Sequence, residues 1–283
     1  MKQIKFTIIS LFVAAFVMCA VFSAHAQDNE ARTSSEKDFS GSYAEAVEFY
    51  KRALVLAPDD AIIFNNLGTA YTQLKRYDEA IFALEKAIML NPQYSKAFYN
   101  LGVVYSLTNR NIEAVSALQK AIALNPKYVY ARRQLCRVYL ELEQNKEAVG
   151  CYKELLPLAP QDATVRSNYG FALINMNRLK EAIAILEETA RLFPSHVEAY
   201  GNLGYALFQS GRRKEAIAAF QKGLTIAPDN EKLRYNLALA QLADKNKSAA
   251  LEQYAILKNS NTELAQQLFE IIYRDKIVAA KPK

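Results

Sequence analysis

Few residues of this 283-residue chain have the types and spacing that enzymatic chemistry requires. Its two histidines are His25, in the N-terminal export segment described below, and His196. One remaining imidazole argues against His-based acid–base catalysis, zinc sites of the His and Cys type, and Ser-His or Cys-His dyads. The sequence also has no Gly-rich phosphate loop and no Cys-x-x-Cys motif. We therefore predict no enzymatic activity, no metal and no cofactor.

Amide side chains, by contrast, recur at a fixed spacing that suits binding. They lie 34 residues apart at Asn66, Asn100, Gln134, Asn168, Asn202 and Asn236. An amide offers both a donor and an acceptor, so a row of amides can pair with the backbone of an extended peptide without recognising its side chains. The elements that align such a row must repeat with the same period.

The sequence repeats in six blocks, 61–94, 95–128, 129–162, 163–196, 197–230 and 231–264. Within a block, apolar or small residues occupy positions 4, 7, 8 and 11 and then 20, 24 and 27, two stripes at helical period separated by a polar turn. The first block fills these positions with Phe64, Leu67, Gly68, Tyr71, Ala80, Leu84 and Ala87. Each block therefore predicts two antiparallel helices, and the blocks must stack because one hairpin cannot bury its own apolar faces.

With Pro at position 32, as at Pro92 and Pro126, this pattern resembles the tetratricopeptide repeat family, whose period is 34 residues. The resemblance covers residues 41–264 and implies an all-α, right-handed superhelical solenoid of antiparallel helix pairs. Residues 41–60 match the second half of a repeat. The polar segment 27–40 is expected to be a flexible leader. Residues 262–283 are expected to form a capping helix and a basic tail.

In that family, positions 2, 5, 6, 9, 12 and 13 of the first helix face a concave groove. The amides at position 6 would then contact an extended partner, although Asn at this position is also common in such repeats without any binding role. The groove aromatics would be Tyr99, Tyr130, Phe171, Tyr205 and Tyr235. Aromatic residues of this kind are enriched at interface cores. The alternative is that they pack neighbouring repeats together.

Two arginines occupy groove positions of the third block. Arg133 and Arg137 stand one helical turn apart, where their guanidinium groups would suit a carboxylate or an acidic stretch of a partner. The alternative is that Glu141, four residues beyond Arg137, neutralises it. The family's carboxylate clamp for chaperone tails needs Lys at position 5 and Asn at position 9 of one repeat, and no block has that pair.

The third block also replaces two small residues with cysteine. Cys136 takes position 8 and Cys151 position 23, and positions whose numbers add to about 31 lie level across a helix pair. In an oxidising compartment these thiols are candidates for a disulfide. The alternative is two buried free thiols that act as small apolar residues.

The N-terminal residues 1–26 have the features of a secretory signal peptide. A basic start is followed by an apolar run at residues 6–22 and by an A-x-A motif that ends at Ala26, so Gln27 would begin the mature chain. Loss of Lys2 and Lys5, with no acid, would lower the formal charge from +6 to +4. We expect an exported, periplasmic protein. A membrane anchor retained at 6–22 is the alternative.

Three functions remain compatible with the sequence. The first is a non-enzymatic scaffold of the cell envelope that holds a protein or peptide partner in its groove. The second is self-assembly into an oligomer. The third is a glycan-binding or enzymatic role in the groove, to which the plentiful carboxylates contribute no pair that stands apart from the repeat pattern. Nothing in the composition indicates a nucleic-acid partner.

Overall fold

The computed structural model describes residues 43–279, with side chains through residue 273. The predicted signal peptide, its cleavage site, the anchor alternative at 6–22, the leader 27–40 and the last four residues lie outside this range. Every regular element in the described range is a helix, as the repeat pattern predicts. The described residues divide into an N-terminal unit that ends at Pro160 and a C-terminal unit that begins at Gln161.

The N-terminal unit contains seven described helices. They are α1 (43–56), α2 (Ala61–Gln73), α3 (Tyr77–Leu90), α4 (Ser95–Leu107), α5 (Asn111–Leu124), α6 (Val129–Glu141) and α7 (Asn145–Leu155). The pairs α2–α3, α4–α5 and α6–α7 form hairpins, and α3 packs on α4 as α5 does on α6. This is the stacked arrangement that buries both apolar stripes of each hairpin.

The C-terminal unit continues the same pattern. Its helices are α8 (Ala163–Asn175), α9 (Leu179–Leu192), α10 (Val197–Gln209), α11 (Arg213–Ile226), α12 (Glu231–Ala243), α13 (Lys247–Ser260) and α14 (Thr262–Ala279). The last helix, α14, packs against both α12 and α13 and buries Ala265, Leu268 and Ile272. It thereby covers apolar surface of the final hairpin.

Close contact within each hairpin explains the glycines at position 8. A Cβ atom added at Gly68 would lie 2.6 Å from Cγ of Leu84, and one added at Gly204 would lie 2.6 Å from a ring carbon of Phe220. Real Cβ atoms do not approach that closely, so the two helices meet where one has no side chain. The large residue at position 24 of the second helix fills the space that glycine leaves.

The turn inside each hairpin depends on one left-handed residue. Position 15 has positive φ in all six blocks, at Lys75, Asn109, Glu143, Asn177, Gly211 and Lys245. Glycine tolerates this conformation best, yet just one of these six residues is a glycine, Gly211 (φ +82°). The other turns place a polar side chain in a region that costs roughly 1 kcal/mol.

Three of the six first helices, α2, α8 and α12, have a side-chain cap at position 34. Asp60 accepts hydrogen bonds from the backbone N–H groups of Ile62 and Ile63, and Asn230 accepts one from Leu233. Asp162 caps α8 in the same way through Val165. Side-chain oxygens at this position satisfy N–H groups that have no partner within the helix.

Candidate partner-binding surface

The amides of the N-terminal unit form a hydrogen-bond network that crosses between repeats. Asn100 donates from Nδ2 to Oδ1 of Asn65 at 2.8 Å and to Oγ1 of Thr69 at 3.2 Å. Asn65, which is fully buried, donates in turn to Oδ1 of Asn66 at 3.2 Å. The position-6 amides Asn66 and Asn100 remain half-buried. Asn100 therefore joins α4 to α2 as well as lying at the predicted surface.

The C-terminal unit repeats this link with a different acceptor. Asn202 donates from Nδ2 to the backbone oxygen of Ser167 at 3.1 Å. Asn168, on the same helix as Ser167, is half-buried and has no hydrogen-bond partner within residues 43–273. Asn236 is 5% exposed, and its Oδ1 atom is buried without a partner in that same range. The six amides are thus not equivalent, and Asn168 is a half-buried amide whose two polar atoms make no hydrogen bond within that range.

The residues at position 5 that accept hydrogen bonds from the amides were not predicted from the sequence. Asn65 and Ser167 each lie 35 residues before the amide that binds them, so they are polar residues at position 5 of the preceding block. A polar residue there, one position before the amide row, is the signal that could have revealed the link. It was obscured because the family pattern assigns position 5 to the groove.

The two predicted groove arginines have different surroundings. Arg137 is bound within the N-terminal unit, with Nη1 2.5 Å from Oε1 of Glu141 and Nη2 3.2 Å from Oγ of Ser106. Its Nε also donates to Oε1 of Gln134 at 3.4 Å. The neutralising role considered for Glu141 is therefore what the contacts favour for Arg137. Arg133 is exposed.

Aromatic residues accompany Arg133 near the start of α6. Tyr130 is 63% exposed, and its ring centroid lies 6.0 Å from Cζ of Arg133. Tyr99, which is half-buried, packs on Tyr128 with the ring centroids 5.1 Å apart. Burial raises the pKa of Tyr128 to about 12. Tyr130 and Arg133 together present an apolar ring and a cation on one exposed turn.

The remaining predicted groove aromatics are buried in the C-terminal unit. Phe171, Tyr205 and Tyr235 are each 5% exposed or less. Burial raises the pKa of both tyrosines to about 12, because the phenolate would lose its hydration. A partner could reach these rings only if the groups that cover them moved. Their burial favours the packing role over direct contact with a partner.

The two cysteines lie across the α6–α7 hairpin at bonding distance. Their Sγ atoms are 2.09 Å apart and their Cα atoms 5.3 Å apart. Cys136 is fully buried and Cys151 nearly so. The level placement inferred from the repeat positions is therefore present in the structure. Oxidation of the pair remains a prediction.

Residues 43–273 contain no cluster of three or more His, Cys, Asp or Glu side chains placed to hold a metal ion. His196 lies between α9 and α10, where its Nδ1 atom is 3.4 Å from Oε2 of Glu198.

Within the described residues, no helix is long and apolar enough to cross a membrane.

Family comparisons agree with this architecture. Four tetratricopeptide repeat models match the chain, at residues 61–94, at 172–231, at 108–167 and 207–268, and at 40–75. Together they span most of the described helices. The chain belongs to the tetratricopeptide repeat family. A search of curated proteins gave no match.

Solved structures show the same fold. YrrB, described as a tetratricopeptide repeat protein with an unusual peptide-binding site, is 25% identical, with a TM-score of 0.61 over 70% of this chain and 99% of YrrB. A tetratricopeptide repeat protein from Parabacteroides merdae is 18% identical, with a TM-score of 0.61 over 87% of this chain and 99% of that one. PilF of Pseudomonas aeruginosa is 18% identical, with a TM-score of 0.60 over 81% and 98%. The latter two likenesses concern the fold alone.

Proposed function

We propose that this chain is a non-enzymatic scaffold of the cell envelope that holds an extended segment of a protein or peptide partner against the first helices of its repeats. The observation that carries the proposal is the exposed pair of Tyr130 and Arg133 on α6, in the unit whose first helices also carry half-buried amides. Tyrosine and arginine are the residue types that dominate binding energy at protein interfaces.

The chemistry of this surface favours a partner with a carboxylate. Arg133 presents a planar guanidinium that can bind a carboxylate through two parallel hydrogen bonds. Tyr130 beside it offers apolar area with a polar edge. The peptide-binding site named for YrrB supports the same mode of action in a related solenoid. The envelope location follows from the predicted signal peptide.

The amides would contribute affinity without sequence preference. Asn100 and Asn202 each direct Nδ2 toward the preceding repeat, which leaves their carbonyl oxygens as the groups that could accept from a partner's backbone N–H. Asn168 could both donate and accept. A partner bound in this way would be extended, because only an extended backbone presents N–H and C=O groups along a row of helices.

The test is a crosslinked pull-down of the tagged full-length chain from its own cell envelope. Arg133→Glu and Tyr130→Ala alter the exposed pair, whereas Lys146→Glu reverses an exposed charge on α7 of the same hairpin and serves as the control. We expect wild type and Lys146→Glu to capture the same partner, and Arg133→Glu to lose it. Far-ultraviolet circular dichroism and thermal unfolding must show equal folding. Identical capture by all the variants would contradict the proposal.

A further inference from the structure

The outer face of the N-terminal unit exposes more large apolar side chains than a solvated helix face needs. Val55 on α1 and Phe82 and Met89 on α3 are each at least 60% exposed. Phe82 and Met89 are seven residues apart and therefore lie on one face of α3. Val55 and Met89 are 34 residues apart and hold the same position in successive second helices. We call these three residues the outer apolar face.

Cations flank the outer apolar face at the repeat spacing. Arg52, Lys86 and Lys120 occupy position 26 of α1, α3 and α5, three residues before Val55 and Met89 in the first two helices. Nζ of Lys86 lies 5.7 Å from the ring centroid of Phe82, so the cation and the ring share one surface.

Two acids close to this surface have partners within the N-terminal unit. Glu48 forms an ion pair with Lys51 at 2.9 Å, and Glu85 accepts a hydrogen bond from the Tyr105 hydroxyl at 3.1 Å. The face combines apolar side chains with a row of three cations.

The C-terminal unit provides a comparison within the same chain. At the position of Phe82 it has Ala184 on α9 and Ala218 on α11, and at the position of Met89 it has Arg191 and Thr225. The helices α9 and α11 thus present small or polar residues where α3 presents Phe82 and Met89, whereas α1 has Glu48 at the first of these positions and Val55 at the second. The repeat fold itself does not require the outer apolar face, because the other hairpins form without it.

We propose that the outer apolar face, with Arg52, Lys86 and Lys120, docks on the surface of an anionic lipid bilayer. Exposed aromatic and aliphatic residues bordered by Lys and Arg are the pattern of interfacial membrane binding. Large apolar side chains that are exposed at recurring repeat positions mark a surface for interaction. Arg52, Lys86 and Lys120 supply the charge that complements the headgroups of anionic lipids.

Docking of this face would orient the protein. The outer apolar face lies on second helices, whereas Tyr130 and Arg133 lie on a first helix. Lipid contact through α1 and α3 would therefore leave the proposed partner-binding turn of α6 unoccupied by lipid. The inference goes beyond the scaffold function and does not depend on it, because no residue of the outer apolar face belongs to the proposed binding surface.

Site-specific photocrosslinking tests the proposal in the full-length chain. The photoreactive residue p-benzoylphenylalanine replaces either Phe82 or Ala184, which hold the same repeat position in the two units. Each protein is mixed with vesicles of phosphatidylcholine alone or with one-third phosphatidylglycerol, illuminated, and analysed by mass spectrometry. We expect lipid adducts at position 82 on the anionic vesicles, several-fold above those at position 184.

Charge reversal separates specific docking from proximity. Arg52→Glu together with Lys120→Glu should reduce the adducts at position 82 at least about tenfold on anionic vesicles, since each cation near such a surface contributes roughly fivefold. The control Lys222→Glu, which reverses position 26 of α11, should leave them unchanged. Equal adducts at positions 82 and 184, or insensitivity to the paired reversal, would overturn the proposal. Crosslinks between two copies at position 82 would overturn it as well, in favour of self-association.

Discussion

Asn100 donates a hydrogen bond from Nδ2 to the buried Oδ1 atom of Asn65, 35 residues earlier and in the preceding repeat, at 2.8 Å. Asn202 makes the corresponding contact with the backbone oxygen of Ser167, again 35 residues earlier, at 3.1 Å. The amide row is therefore part of what joins one repeat to the next. Any binding role of these residues comes in addition to that structural one.

Replacement of Asn100 by Ala should weaken the N-terminal unit. The variant leaves Oδ1 of Asn65 buried without this donor, which costs about 1–3 kcal/mol. Urea unfolding followed by circular dichroism measures the loss. Asn168→Ala is the control, because Asn168 has no hydrogen-bond partner within the described side chains, and it should change the free energy of unfolding by less than about 0.5 kcal/mol. Equal effects of the two substitutions would show that the inter-repeat link is energetically unimportant.

Two glycines of α10 should respond oppositely to alanine. A Cβ at Gly204 would meet the ring of Phe220 at 2.6 Å, whereas a Cβ at Gly201 would lie 3.6 Å from Leu233. Gly204→Ala should therefore destabilise the fold by about 1–3 kcal/mol through overpacking. Gly201→Ala should be neutral or stabilising by up to about 1 kcal/mol, because alanine favours the helix. Thermal unfolding of both variants decides, and a stabilised Gly204→Ala protein would contradict the close approach.

Cys136 and Cys151 should be disulfide-bonded in the exported protein. The mass of the native protein should then rise by two hydrogen atoms on reduction, and native protein should not react with a thiol reagent at these positions. A closed loop of about 15 residues stabilises a fold by roughly 3 kcal/mol in the chain-entropy model. Reduction, or the pair Cys136→Ala and Cys151→Ala, should lower the unfolding free energy accordingly. Two alkylated thiols in native protein would exclude the bond.

The C-terminal unit should lose stability as the pH falls below about 6.5, the ordinary pKa of histidine. Burial lowers the pKa of His196 below that value, an effect that Glu198 and Asp162 oppose. Above the unfolded-state pKa both states are neutral there. Below it the unfolded state gains a proton before the folded state does, so stability falls by at most about 1.4 kcal/mol per pH unit until the folded imidazole titrates.

Unfolding at pH 7.5 and pH 5.5 measures this dependence, with His196→Gln as the comparison. Glutamine retains a polar side chain of similar reach and does not titrate. The variant should therefore lose less stability than wild type over this interval. The same loss in both proteins would assign the pH dependence to other groups.

Much of the site could be located from sequence, and the part that could not has a clear physical reason. The 34-residue spacing placed Asn100 and Arg133 on first helices, because helix phase follows directly from residue number. Residue spacing does not show which neighbouring group accepts a hydrogen bond from a given side chain. By spacing alone, Arg137, one helical turn from Arg133 on α6, is as plausible a groove cation as Arg133. Its contacts with Glu141 and Ser106 are visible only in the structure.

The helix caps illustrate the same limit at shorter range. Two adjacent polar residues precede each of the first helices α2 and α12, Asp59–Asp60 and Asp229–Asn230. The structure uses the later ones, Asp60 and Asn230. The choice depends on the backbone dihedral angles of one residue, which an aspartate–aspartate or aspartate–asparagine pair does not encode.

The sequence by itself determined the family, the all-helical class and the pairing of helices, because apolar periodicity and a fixed repeat length leave few other ways to bury the same faces. Tertiary structure decided which groove-position residues remain accessible. Tyr99 and Tyr235 are the same residue type at position 5 of their repeats, yet Tyr99 is half-buried and Tyr235 is only 1% exposed. Exposure depends on what packs over a side chain from elsewhere in the chain, and residue spacing carries no record of that.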